Sequence, residues 1–170
     1  GYTRGAVYWH FRNKTEVLEA MIERERVPFV ERLRRTTSPQ RTTPVLDLRA
    51  ALLASFAELA SDARLRNRRE TMLRHDLSAE SQAMQALQRA CAREELEIFT
   101  EAFARAQTLG QLRAHASAET AALTLHICLS GVLYSAMLEP ELFDLQRDAA
   151  EVLDVALAAY VRDGVLAPAA

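Results

Sequence analysis

Apolar residues recur along most of the chain at spacings of three and four, the period of helices with one buried face. Asn13 suits an N-cap, and the stretch from 14 to about 35 carries Val17, Leu18, Met21 and Ile22 at helical spacing, with Pro28 expected to kink or interrupt it. The polar run TTSPQRTT, residues 36–43, reads as a loop. Thr43 then suits a cap and Pro44 the first helical position, and Val45, Leu48, Leu52, Phe56 and Leu59 form an apolar face as far as about residue 61. An Arg-rich helix, DARLRNRRETMLRH, follows and ends near 76–78. The longest helix runs from about 79 to 109, aligns Ala92, Leu96, Phe99, Phe103 and Ala106, and stops at Gly110. Ser117 caps a helix that is apolar nearly all round from Ala121 to Leu138 and stops at Pro140. The last helix spans about 146–163, with Ala150, Leu153, Leu157 and Tyr160 on one side, Val152 and Val155 elsewhere, and Gly164 as its stop.

The fold class is therefore all-α. A helix that is apolar all round must be covered on most sides. Residues 121–138 contain Thr124, His126, Ser130, Gly131 and Ser135, which puts them at the short and polar end for a membrane span, so burial is expected and no membrane partner. Too little chain remains to wrap two apolar C-terminal helices, which makes a second copy the expected cover and the chain a homodimer through its last two helices.

Composition narrows the chemistry. At 170 residues the chain can bury one sizeable core, and 49% hydrophobic residues with only five Gly and five Pro favour helices over strands. A net charge of -2 excludes a uniformly basic nucleic-acid binder, so any such contact must be local. Residues 1–15 supply the patch: Arg4, Arg12 and Lys14 with no acid, the acidic residues beginning at Glu16. Cys91 and Cys128 lack metal-ligand spacing and read as free thiols of a reducing cytoplasm. No Glu-x-x-His pair surrounds a histidine, no Gly-x-Ser-x-Gly turn occurs, and phosphate-loop glycines are missing. No enzyme activity, metal or cofactor is expected.

The opening, GYTRGAVYWHFRNKTEVL, carries the most specific signal. Thr3 stands where a helix N-terminus turns a hydroxyl and free N–H groups toward phosphate, and Gly5 near the first turn suits close backbone approach to a partner. Val7 and Phe11, four apart, face a small core, leaving Arg4, Tyr8 and Trp9 on other faces. Spacing alone does not decide whether Tyr8 and Trp9 pack inside or grip a DNA backbone.

The residues Gly1, Thr3, Gly5, Val7, Tyr8, Trp9, His10, Phe11, Asn13, Lys14 and Leu18 resemble the second half of the helix-turn-helix of TetR-family transcriptional repressors. TPVLDLRA at 44–51, EPELFDLQRD at 139–148 and LAAYVRDGV at 157–165 resemble the AcrR-like, SmeT-type branch, which represses multidrug efflux pump operons. The resemblance implies a partial helix-turn-helix at 1–18, running into the start of the linking helix, and a helical-bundle domain for ligand binding and dimerisation at 19–166. It implies base-edge contacts by Thr3, Arg4, Gly5 and Ala6, contacts to thymine methyls or phosphate by Tyr8, Trp9 and His10, and a phosphate contact by Lys14, the only lysine among 21 basic residues. In the family two helices precede this point and support the recognition helix. Without them, the chain as it stands is expected to hold double-stranded operator DNA poorly or not at all.

Pocket candidates are Phe56 and Leu59, Met72, Leu96, Phe99 and Phe103, and His126, Ser130 and Leu133 on the penultimate helix. His126 and Ser130, four apart, suit a hydroxyl or amide on an otherwise apolar ligand. The resemblance implies flat lipophilic aromatic inducers. Arg64, Arg66, Arg68 and Arg69 read as a solvated helix face. Two recognition helices in a dimer must match successive major grooves about 34–36 Å apart, so a ligand favouring another spacing would release DNA, with helix 14–35 as the lever. The alternative is a ligand-binding or adaptor helical dimer that does not bind DNA.

Overall fold

The computed structural model describes residue 11 and residues 13–76 and 82–167. Among the described residues six α-helices follow in order: α1 (Lys14–Arg34), α2 (Pro44–Ser61), α3 (Ala63–Asp76), α4 (Gln82–Thr108), α5 (Ala118–Leu138) and α6 (Ala149–Ala158). A 3-10 turn, Arg35–Thr37, closes α1. No strand forms among the described residues; the β-type pairing present is an isolated antiparallel bridge between Leu112 and Val161.

Helix ends follow local chemistry. Asn13 accepts from the Glu16 N–H at 2.9 Å, and the Ser117 hydroxyl accepts from the Thr120 N–H at 3.1 Å, each pairing a donor the first turn leaves free. Thr43 departs from expectation: its side chain makes no capping bond, and Pro44 starts α2 with only the Thr43 carbonyl accepting from the Asp47 N–H, 2.9 Å. Gly110, at φ 69°, turns the chain after α4 in a conformation that L side chains resist.

Two other expectations are corrected. Pro28 does not interrupt α1, which remains helical through Arg34. Proline removes one backbone donor, while burial of Val30 and Leu33 in the next turn holds the helix to the bundle. The last helix is shorter than 146–163. At its start the Asp144 carboxylate accepts from the N–H groups of Gln146 and Arg147, fixing a turn. At its end the Arg113 N–H donates to the Tyr160 carbonyl and the Arg162 N–H to the Gln111 carbonyl, at 2.9 and 2.8 Å. Those bonds draw residues after Ala159 out of the helix and along the segment that follows α4.

The core lies where α4 meets α2 and α5, with α6 packed against α5 and α2. Ile98, Phe99, Ala102, Phe103 and Ala106 of α4 pack with Ala121, Ala122 and Leu125 of α5, Leu153 and Leu157 of α6, and Val45, Leu48 and Leu52 of α2. Each large side chain buried this way contributes roughly 1.5–3 kcal/mol of transfer free energy. Arg49 of α2 holds Asp154 of α6 by two parallel bonds, one of 2.8 Å, binding the first wall of the bundle to the last. By length and composition α5 would suffice to cross a membrane, yet Ala121, Ala122, Leu125, Leu129 and Val132 are buried against the bundle. Its other side leaves Leu123, Ile127, Tyr134 and Leu138 exposed, and Val152 and Val155 of α6 are exposed too.

Candidate ligand cavity

α4 and α5 separate in character along their length. At the N-terminal half of α4 and the C-terminal half of α5 the core gives way to a cavity of about 520 Å³, lined from α1 through α5. Phe29 and Ile22 come from α1, Phe56 and Leu59 from α2, Leu65 from α3, Cys91, Ala92 and Glu95 from α4, and His126, Leu129 and Leu133 from α5. The apolar wall suits a lipophilic guest, and the few polar groups set its orientation.

Of the sequence-derived candidates, Phe56, Leu59, His126, Ser130 and Leu133 line this cavity. Phe99 and Phe103 do not: both are fully buried in the core. Leu96 packs against that core and is not part of the lining either. Ala92, Leu96, Phe99 and Phe103 share one face of α4, so Phe99 and Phe103 differ from the lining residues in lying further along the helix, where it is packed. The side chain of Met72 lies outside the described residues. So do Thr3, Arg4, Gly5, Ala6, Tyr8, Trp9 and His10, and the Lys14 side chain; of Lys14 only its place as the first residue of α1 is described.

Several lining residues were missed by sequence reading. Arg68 and Arg69 of α3, read as a solvated face, line the cavity. On α4 the row Gln88, Cys91, Ala92 and Glu95 interrupts a long apolar stripe with small and polar side chains at i, i+3, i+4 and i+7. That interruption is the sequence signal for a hollow rather than a packed seam.

Electrostatics ties α1 to the cavity wall. Arg26 pairs with Glu94 of α4 and with Glu23, 2.7 Å, while Arg34 reaches the other oxygen of Glu94 at 2.8 Å. The Glu23 bond, with Glu94 adding, holds the Arg26 guanidinium above its usual range. Arg32 donates to the Ser55 hydroxyl of α2 at 2.7 Å and to Glu58. Burial pushes both free thiols up, Cys91 with Arg26 opposing and Cys128 without opposition, so neither is poised as a nucleophile. His126 Nδ1 stands 3.5 Å from Glu95 Oε2 and is buried without a hydrogen-bond partner. The Ser130 hydroxyl donates back to the His126 carbonyl at 3.0 Å, leaving its oxygen as an acceptor.

A helical bundle packed at one end and hollow at the other has the architecture of a ligand-responsive helical regulator. Residues 43–161 match the MAATS-type transcriptional repressor C-terminal region, and the chain belongs to the TetR family of transcriptional repressors. It is 32% identical over 163 residues to the HTH-type transcriptional regulator TtgR of Pseudomonas putida, spanning 92% of this chain and 75% of that one. It superimposes on SmeT in its triclosan complex with a TM-score of 0.91 at 52% identity, covering 100% of this chain and 81% of that one. SmeT is the repressor of the Stenotrophomonas maltophilia multidrug efflux pump SmeDEF. NalD, the secondary repressor of MexAB-OprM multidrug efflux pump in Pseudomonas aeruginosa, aligns at a TM-score of 0.76 and 25% identity over 96% of this chain and 83% of its own. Repressors of this family bind operator DNA and small ligands and act as dimers, which favours a DNA-binding regulator over an adaptor without DNA binding.

Proposed function

We propose that the protein represses a multidrug efflux pump operon in the cytoplasm and leaves its operator when a lipophilic aromatic compound enters the cavity. One observation carries the reading: α1, which begins where the recognition motif ends, itself supplies Ile22, Pro28 and Phe29 to the cavity lining. A guest there touches the helix that orients the DNA-binding residues. Residues 1–18 act as the DNA-reading part, through Thr3, Arg4, Gly5, Ala6, Tyr8, Trp9, His10 and Lys14, and 19–166 as the sensing and dimerising part. The resemblance of the opening stretch and the efflux repressors among the relatives support this division.

The dimer forms through α5 and α6. Leu123, Ile127, Tyr134 and Leu138 fall on one stripe of α5, with Gly131 between Ile127 and Tyr134 and, apart from its own stretch of helix, no atom of the protomer within 4 Å of where its Cβ would sit. A glycine there lets a partner helix approach closely, and Val152 and Val155 widen the apolar surface. Ligand release of DNA is limited by how strongly the ligand prefers the non-binding arrangement, so affinity and induction need not track each other.

Fluorescence anisotropy of the full-length protein on labelled DNA from its own promoter region tests the reading. The expected result is salt-sensitive binding that Tyr8→Ala weakens and a lipophilic aromatic biocide reverses. Binding no tighter than to random DNA at moderate salt would overturn it for that promoter.

A further inference from the structure

The cavity contains one polar pair whose two members do not hydrogen-bond each other. His126 Nδ1 is buried and makes no hydrogen bond, and the atom it faces, Glu95 Oε2, is 3.5 Å away on the neighbouring helix. Both side chains are largely buried, at 21% and 19% exposure. The separation is within range of an ion pair but too long for a good hydrogen bond, and an ionised carboxylate offers only acceptors. The pair is left wanting a group that can donate to Glu95 and also answer the imidazole. A buried polar group without a partner is costly, so whatever enters this end of the cavity is selected for supplying one.

The other charges of the lining narrow the class of guest. Glu58 is engaged by Arg32, and Asp62 accepts from the N–H groups of Arg64 and Leu65 at the start of α3. Among the described lining residues Glu95 is thus the acid that faces inward, while Arg24, Arg68 and Arg69 also border the cavity beside Arg26 and Arg32, whose charges Glu23, Glu94 and Glu58 already answer. A cationic guest would have to settle among those arginines. A neutral hydroxyl meets no such opposition: its O–H donates to Glu95, and its oxygen accepts from the imidazole when Nδ1 carries the proton. An ether of the same shape can only accept.

We propose that Glu95 and His126 together form a receptor for a single neutral hydroxyl on an aromatic, otherwise apolar ligand, so that the cavity selects phenols over their ethers and over lipophilic cations. The proposal rests on the ligand-cavity reading and assigns its chemical specificity. The phenol triclosan in the complex of the related SmeT makes it and its methyl ether suitable probes.

Titration calorimetry at neutral pH on the dimeric protein would compare triclosan, triclosan methyl ether and tetraphenylphosphonium. The expected wild-type result is triclosan about tenfold tighter than its ether, as a charge-assisted hydrogen bond gained or lost implies, with the cation weaker than the phenol. The phenol-to-ether ratio should fall to about one in Glu95→Met and in His126→Leu, and to an intermediate value in Glu95→Gln, which keeps an acceptor without charge. Circular dichroism melting identifies any variant that fails to fold, and the wild-type ratio is a test without them. Equal wild-type affinities for phenol and ether, tighter binding of the cation, or a ratio that survives in folded Glu95→Met and His126→Leu would overturn the hydroxyl receptor while leaving the cavity as a ligand site. If none of the three compounds binds the wild type, the cavity reading itself fails and the receptor with it.

Discussion

α4 and α5 run side by side, and their two ends do opposite things with the same kind of contact. Where the C-terminal half of α4 meets the N-terminal half of α5, Ala102, Ala106, Ala121 and Ala122 are all buried, and Phe99 and Phe103 fill the space around them. Small residues let the backbones approach, and large ones from the third direction close the gaps. At the other end Cys91, Ala92 and Glu95 face His126, Leu129 and Leu133 with no aromatic ring from either helix between them, and a cavity of about 520 Å³ remains. Stability and specificity are therefore segregated along one helix pair. A protein that must change shape on binding gains from this, because the end that binds can adjust while the end that folds does not.

The segregation is most directly broken by truncating one large side chain at each end. Phe99→Ala should cost about 3–5 kcal/mol in chemical denaturation, since the site is fully buried and surrounded on all sides. Leu133→Ala, on a side chain that already borders empty space, should cost only about 1 kcal/mol. Equal losses would mean that the two ends form one undivided core. The next largest effect concerns α5's outward stripe, which belongs to neither end. Ile127 is 62% exposed in the protomer, so Ile127→Glu should leave the fold intact and weaken self-association by about 2–3 kcal/mol, roughly 30- to 150-fold, by sedimentation equilibrium. Unchanged association would remove this face from the dimer interface.

How far each end could be read in the sequence differs for the same reason. The packed end was legible because periodicity reports burial: Val45, Leu48 and Leu52 belong to the face expected of α2, and all three are buried. Periodicity does not report whether a buried face meets another side chain or a void. Phe99 and Phe103 therefore looked like pocket walls although they fill the core, while Arg68 and Arg69 looked like solvent-facing charges although they border the cavity. His126 was legible because a histidine inside an apolar helix demands a partner; that the group it faces is Glu95 depended on the register between α4 and α5, which a single helix does not encode. The early end of the last helix was hidden for a similar reason, since its residues 160–162 bond to 111–113 across the fold.

The smallest expected effect distinguishes the two ends by how their helices begin. α3, which covers the hollow end, starts at Asp62, whose carboxylate accepts from the N–H groups of Arg64 at 2.8 Å and Leu65 at 3.2 Å. The Leu65 bond, followed by that of Arg64, holds the Asp62 carboxyl below its ordinary range. A carboxylate depressed in the folded state stabilises fully above its unfolded value and loses that contribution as pH falls through the lowered one. α5, which runs through the packed end, starts at the Ser117 hydroxyl, which has no such titration. Acidification below about pH 4 should therefore loosen the first turn of α3 before that of α5, seen as earlier loss of amide exchange protection at Leu65 than at Thr120. In Asp62→Asn the side-chain oxygen still caps the helix but no longer titrates, so the difference between the two turns should stop depending on pH. If the Leu65 amide keeps its acid sensitivity in that variant, the hollow end loosens for reasons other than its cap, and its adjustability must be sought in the Arg26, Glu94 and Arg34 contacts that hold α1 to α4.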